Sequence, residues 1–318
     1  MKLKLAAALV ALLGALPGTP LPEFTDWSPP VNLGPVVNSP YLDSCVAISK
    51  NGRSLFFSSN RQSPGLDGKS TNRDLYVSNR PSVDADWEDP QPLVMLNTPV
   101  WESCPALSLD EHRLYFTSPR VGTCGGQDIW VSRRHDRRDD LGWEPPVNLG
   151  CAPDGPNSKA NDLMPTLFED EDGRVLMYFA SNRLGNLDHY QTEMGEDDTF
   201  GPATPIAELN STSEDAGITV RRDGLEVIFL SKRPGGGGSA AVLLFDFWHS
   251  TRDSTSDPWS PPVFVESLGK PAWAMGRIAL SFDGRELYFA SYRQPSTGGA
   301  DLPDIWVARR EKTGGKKK

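Results

Sequence analysis

A unit repeated five times constrains the fold of this chain more than any other feature. Five segments open alike: WSPPVNLG from Trp27, WEDPQPL from Trp87, WEPPVNLG from Trp143, FGPATPIAEL from Phe200 and WSPPVFVESL from Trp259, spaced 60, 56, 57 and 59 residues apart. Each opening leads to a short apolar strand: CVAIS, CPALS, MPTLF, GITVR and RIALS. A turn follows, and in four units it is Asn-Gly or Asp-Gly, which supplies the positive φ that a tight hairpin needs. The second unit has Asp110-Glu111 instead, which predicts a longer or differently shaped turn there. The second strands LFFSS, LYFTS, LMYFAS, VIFLS and LYFAS each end in Ser-x-Arg, at Arg61, Arg120, Arg183, Arg233 and Arg293. Third strands start at Asp74, Asp128, Asp188, Asp246 and Asp304, and the next unit's Trp-x-x-Pro segment supplies a fourth. Short strands at regular spacing with glycine turns indicate a sandwich, a barrel or a propeller, and a five-fold unit of four strands selects an all-β, five-bladed β-propeller. The last unit stops after DIWVARR, while WSPPVNL stands spare at the front. The N-terminal strand is therefore expected to pair into the last blade and close the ring, which removes two open sheet edges.

Composition agrees with this reading. The 29 glycines and 28 prolines among 318 residues are turn and Trp-x-x-Pro chemistry, and they exclude a helical bundle. Length alone allows two domains, but the repeat makes residues 27–310 a single propeller. A net charge of −10 lacks the basic footprint of nucleic-acid binding. The basic segment 311–318, which contains KTGGKKK, is expected to be a solvated, frayed end. At the other end MKLK precedes the apolar run LAAALVALLGAL, too short to span a bilayer. Residues 1–20 thus read as a signal peptide or an uncleaved N-terminal anchor, with a poor cleavage site. Export to the periplasm or beyond, with no membrane span and a monomeric state, is the expectation.

The combined pattern S-x-[DN]-G-x-x-L-[YF]-F-x-S-x-R, then G-G-x-D-[IL]-[YW]-V-S-x-R, then W-x-x-P-V-N-L-G resembles the WD-like propeller repeat of bacterial TolB-type proteins, over Trp27 to Arg310. The resemblance implies an exported propeller that binds other envelope components, and it is specific for fold rather than function. Blade three departs most, with DHYQTEMGEDD as its third strand, and blade four carries a GGGGSAAVLLF loop.

A second set of repeated acids, Asp43, Glu102, Asp162 and Asp215, ends the motifs NSPYLD, NTPVWE, NSKAND and NSTSED just ahead of the first strands. First strands line a propeller's central channel, so these carboxylates are expected at one mouth. In one reading each pairs with an arginine of its own or a neighbouring blade. In the other, converging oxygens hold a polar ligand or a hard cation such as Ca²⁺; no other cofactor is expected. Blade five has Met275 at the corresponding count, which would leave Arg293 to meet an anionic group. Tyr41, Trp101 and Trp273 stand beside the acid positions and are candidate ligand-lining aromatics, with loop packing as the plainer role. The Ser-x-Arg arginines and the five third-strand aspartates recur in every blade, so their expected role is structural.

The four cysteines lack C-x-x-C spacing, so disulfides are favoured over a metal site. Cys45 and Cys104 fall at equivalent positions of adjacent first strands, and Cys124 and Cys151 in loops of blade two. Cys45–Cys104 with Cys124–Cys151 is the expected pairing, and Cys104–Cys124 is the competitor.

Two functions follow. The first is a non-enzymatic module that binds an envelope protein, a peptide or a glycan. The alternative is a glycoside-hydrolase-like propeller that uses axial carboxylates. Against the alternative, hydrolysis needs two carboxylates in unequal settings, whereas these acids are symmetric members of a repeat. No G-x-S-x-G or phosphate-loop motif is present.

Overall fold

A computed structural model describes residues 23–61, 72–197, 199–236, 244–269, 274–297 and 302–313. Residues 1–20 with the leader, Trp273, most of the blade-four glycine loop and residues 314–318 lie outside the described residues.

Five four-stranded antiparallel sheets form a ring of blades. The inner strands are Asp43–Ile48, Ser103–Leu107, Asp162–Glu169, Asp215–Val220 and Ala274–Leu280. Each pairs outward with a second strand (Ser54–Ser59, Arg113–Ser118, Val175–Ser181, Glu226–Ser231, Glu286–Ser291) and then a third (Asp74–Asn79, Asp128–Arg133, Asp188–Glu193, Asp246–Thr251, Asp304–Arg309). A two-residue outer strand completes each blade. In blade five that strand is Val31–Asn32, in register with Val307 and Trp306, so the N-terminal segment closes the ring as its spare Trp-x-x-Pro motif required. A second pairing, Glu23–Phe24 with Lys312–Thr313, extends the closure beyond Arg310.

Neighbouring blades pack through five apolar clusters, one per blade interface. The clusters are filled by alternate residues of the second and third strands, because side chains of a strand alternate between its faces. The Trp-x-x-Pro tryptophans seal the outer edge. Trp27, Trp87, Trp143 and Trp259 each lie under the guanidinium of the arginine that follows a third strand (Arg310, Arg80, Arg134 and Arg252) at 4.1–4.5 Å from the ring centre. Those arginines also donate Nε to the carbonyl of the first–second strand turn, at Gly284, Gly52, Glu111 and Gly224. Blade three replaces this clamp with the apolar bridge Met194–Phe200, and its third strand places His189 at a buried position that is Leu75, Ile129, Phe247 and Ile305 elsewhere.

All five inner strands carry a bulge. In four blades two residues fall between the paired positions, as Cys45 and Val46 do between Ser44 and Ala47. Blade five has three there, Gly276, Arg277 and Ile278, between Met275 and Ala279. The extra residue corrects the alignment made from sequence: Ala274, not Met275, lies opposite Ser291 and so takes the place of the acid.

Candidate functional site

At the starting end of the inner strands, the N-[ST]-x-x-x-[DE] motif holds two neighbouring blades together. The asparagine amide bonds both backbone groups of the preceding blade's third strand, Asn38 with Ile305, Asn97 with Leu75, Asn157 with Ile129 and Asn210 with His189, at 2.7–3.0 Å. The following Ser or Thr donates its N–H and hydroxyl to the acid four residues on, at 2.5–2.9 Å. The acid also meets the Ser-x-Arg guanidinium of its own blade: Asp43–Arg61 2.6 Å, Glu102–Arg120 2.9 Å, Asp162–Arg183 2.5 Å and Asp215–Arg233 2.8 Å. All four carboxylates are fully buried. Each arginine also donates to its blade's Ser hydroxyl and to a backbone carbonyl, and stacks over aromatics of the second and third strands. Of the two roles expected for these acids, the structure shows the ion pair.

Blade five keeps this frame without the acid. Arg293 donates to Ser291 Oγ at 3.1 Å and Leu268 O at 3.0 Å, and stacks over Phe289 and Trp306. Burial pushes its pKa down to about 10. Of the third-strand aspartates, Asp128 and Asp304 accept from the fourth-strand Asn148 and Asn32 at 2.7 Å and from loop N–H groups. Tyr41 and Trp101 are exposed, and Arg73 stacks over Trp101 at 5.5 Å. Among the described residues, no group of three or more His, Cys, Asp or Glu is arranged to hold a metal ion. Both disulfides form as expected, Cys45–Cys104 and Cys124–Cys151.

The open axial cavity is at the opposite end, where the inner strands finish. Its volume is about 120 Å³, small beside ligand pockets of about 300–1,000 Å³, and it widens into an open mouth. Its walls are the strand ends and the turns that follow them, and there the repeat varies. Turn geometry is constant: the N–H of Gly52, Glu111, Gly173, Gly224 or Gly284 closes on the carbonyl three residues back. The turn of blade two is thus neither longer nor reshaped. Glu111 adopts the glycine conformation itself, at φ 62°, a left-handed setting that costs a side-chain-bearing residue about 1–2 kcal/mol. Into the cavity point Lys50, Glu111, Glu169, Arg222 and Phe282, one from each blade, with Arg277 beneath them.

Glu111 accepts the Lys50 N–H through Oε1 at 2.5 Å. The Glu169 side chain makes no hydrogen bond or ion pair among the described residues, while its carbonyl accepts from Arg222 at 2.8 Å. Arg277 is almost fully buried. It reaches across the channel, donating Nε to Pro165 O at 2.7 Å and Nη1 to Val46 O, while its backbone N–H meets Cys45 Sγ at 3.3 Å. Burial lowers its pKa to about 9. Sequence reasoning had noticed Glu111 only as a turn irregularity and missed Arg277, Lys50, Arg222 and Glu169. The signal for Arg277 was a cation in an otherwise apolar strand pattern.

No protein-family model matches the chain, and no curated protein matches it. Solved structures do. The catalytic domain of the Coprinopsis cinerea GH62 α-L-arabinofuranosidase superposes with a TM-score of 0.59 at 15% identity, over 91% of this chain and 98% of that one. The endo-arabinase of Bacteroides thetaiotaomicron gives 0.54 at 14% identity, over 92% and 100%. TolB of Acinetobacter baumannii matches more loosely, at 0.43 and 14% identity over 85% and 54%. Most of these neighbours are named as glycoside hydrolases or arabinan-cleaving enzymes, which overturns the expectation of a non-enzymatic envelope-binding module. The repeat misled because it encodes the ring, and the ring serves both kinds of protein.

Proposed function

We propose that the chain is a carbohydrate-active propeller that cleaves a glycosidic bond in the axial cavity, with Glu111 and Glu169 as its working carboxylates. The observation that carries this reading is Glu111. It occupies, against its backbone preference, a position that is glycine in the other four turns, and it lines the cavity. The bulge residues Cys45, Cys104 and Met164 share its left-handed φ, but Glu111 alone among these four brings a carboxylate, and strained residues of this kind cluster at functional sites. Glycoside hydrolysis uses two carboxylates with different tasks, one to protonate the leaving oxygen and one to act on the anomeric carbon or to activate water. Glu111 and Glu169 come from adjacent blades and differ in setting: the first is buried and fixed by the Lys50 N–H, the second is half-buried and unheld. The four repeated acids, each neutralised by an arginine, have no such freedom. Neighbours named as arabinofuranosidases and endo-arabinases support the choice of substrate class. The two disulfides and the leader support an oxidising, exported location.

The test is release of reducing sugar from a panel of arabinan, arabinoxylan and pectic polysaccharides. The wild-type protein should cleave at least one of them, and Glu111→Gln and Glu169→Gln should each lower kcat by about 100-fold or more, the usual weight of acid–base groups. No cleavage across the panel, or an unchanged rate in both variants, would sink the reading.

A further inference from the structure

The proposed catalytic reading leaves Arg277 unexplained. A buried guanidinium is normally matched by a carboxylate, because an isolated buried charge is costly. Arg61, Arg120, Arg183 and Arg233 obey this rule at the opposite end, yet among the described residues Arg277 has no ion-pair partner. Two of its nitrogens are occupied by the carbonyls of Pro165 and Val46. Nη2 makes no hydrogen bond among the described residues and is not among the buried unsatisfied atoms, so it is reachable from the cavity that Arg277 lines.

The residue is also placed by a departure from the repeat. The blade-five bulge is one residue longer than the other four, and a bulge re-aims the side chains around it. Gly276, at φ 70°, makes the bend, and a Cβ there would come within 2.8 Å of Cys45 Sγ. Above Arg277, at the rim, Lys50 Nζ and the Arg222 guanidinium lie 4.6 and 5.8 Å from the centre of the Phe282 ring. Phe282 itself is 37% exposed. Three cations therefore face the cavity against two carboxylates, Glu111 and Glu169, and the deepest cation is the unmatched one.

We propose that the axial cavity is selective for an acidic sugar, whose carboxylate binds Arg277 Nη2 while its ring rests against Phe282 between Lys50 and Arg222. This deepens the hydrolase reading and rests on it for the glycan nature of the ligand. A planar guanidinium is suited to a carboxylate, and a charge-assisted hydrogen bond to a largely buried guanidinium is stronger than one between neutral groups. The aromatic ring supplies the apolar contact that a sugar face needs.

Titration calorimetry tests this without turnover, using the Glu169→Gln protein at low salt. The probes are a galacturonic acid disaccharide and its counterpart with both carboxylates reduced to hydroxymethyl groups. The acidic disaccharide should bind about 10- to 100-fold tighter, the range of a hydrogen bond to a charged group. Arg277→Met should abolish that preference, and Arg277→Lys should keep part of it. Arg277 also ties blades together, so Arg277→Met has its fold checked by circular dichroism. If it does not fold, the exposed-rim variants Lys50→Met and Arg222→Gln decide, each expected to reduce the preference about threefold to tenfold. Equal binding of the two disaccharides, no binding of either, or a preference untouched by these substitutions would overturn the proposal. Cleavage of neutral polysaccharides without acid preference would refute this inference alone. Acid preference without cleavage of any polysaccharide would refute the hydrolase reading and leave an acidic-sugar site.

Discussion

At the end of the channel where the inner strands begin, Asp43, Glu102, Asp162 and Asp215 are each buried, capped by a Ser or Thr and matched to an arginine of the same blade. At the end where those strands finish, Lys50, Glu111, Glu169, Arg222 and Phe282 differ from blade to blade, and Arg277 lies below them with no carboxylate partner among the described residues. The first end repeats and is electrostatically closed; the second varies and stays open. A ring has to solve one packing problem five times, so what repeats is structural. A ligand needs one asymmetric site, so function collects where the repeat lapses.

Breaking the closed end should have the largest effect. Asp43→Asn keeps the shape and leaves the Arg61 guanidinium, 15% exposed in its side chain, without its counter-charge. Removing one partner of a buried pair costs about 3–5 kcal/mol, read as a drop in the urea midpoint with an unchanged slope. Lys50→Met, at the open end, should stay within about 0.5 kcal/mol of wild type, as exposed substitutions do. Equal losses for the two would erase the distinction between the ends.

The Cys45–Cys104 disulfide joins the inner strands of blades one and two midway between the ends, across 59 residues of sequence. Replacing both cysteines with alanine should cost about 2–4 kcal/mol, the usual range for a native disulfide. Because Cys45 Sγ accepts the Arg277 N–H, this variant should also weaken carbohydrate binding in the cavity. The Cys124–Cys151 pair lies in loops away from Arg277, so its removal should leave binding unchanged. Titration of both double variants sharpens the comparison.

The closed end was legible in the sequence because it repeats. The N-[ST]-x-x-x-[DE] and Ser-x-Arg motifs recur at fixed offsets, and the missing fourth strand of the last blade announced the closure by Val31–Asn32. The open end was not legible, for three physical reasons. Glu111 mimics a glycine turn, so residue type suggested a change of shape where only a strained φ exists. The longer bulge of blade five shifts the register by one, which disguised both Ala274 and Arg277. The first residue of each turn carries no pattern at all, and its importance appears only when the ring brings Lys50, Arg222 and Phe282 around one axis. In blade three, likewise, His189 stands in a core position as one polar residue in an apolar column, and burial pushes its pKa down to about 4.

The smallest expected effect comes from the one glutamate in the ring of acids. Burial raises the Glu102 pKa above the ordinary carboxylate range, against the bonds from Thr98, Arg120 and Ser118 that favour its charge. The folded protein therefore holds a proton on Glu102 at pH values where the unfolded chain has released it. Stability from this group is fully present below the ordinary carboxylate pKa and declines as pH rises through that value to the raised one. A neutral replacement should thus be tolerated better here than at Asp43: Glu102→Gln is expected to cost about 1–2 kcal/mol near neutral pH, closer to a lost hydrogen bond than to a broken ion pair. Urea midpoints of wild type and variant between pH 4 and 7 check the sign, because the other titrating groups cancel in the difference. The deficit of Glu102→Gln should shrink as pH rises. A deficit that grows with pH would mean that Arg120 outweighs burial at Glu102.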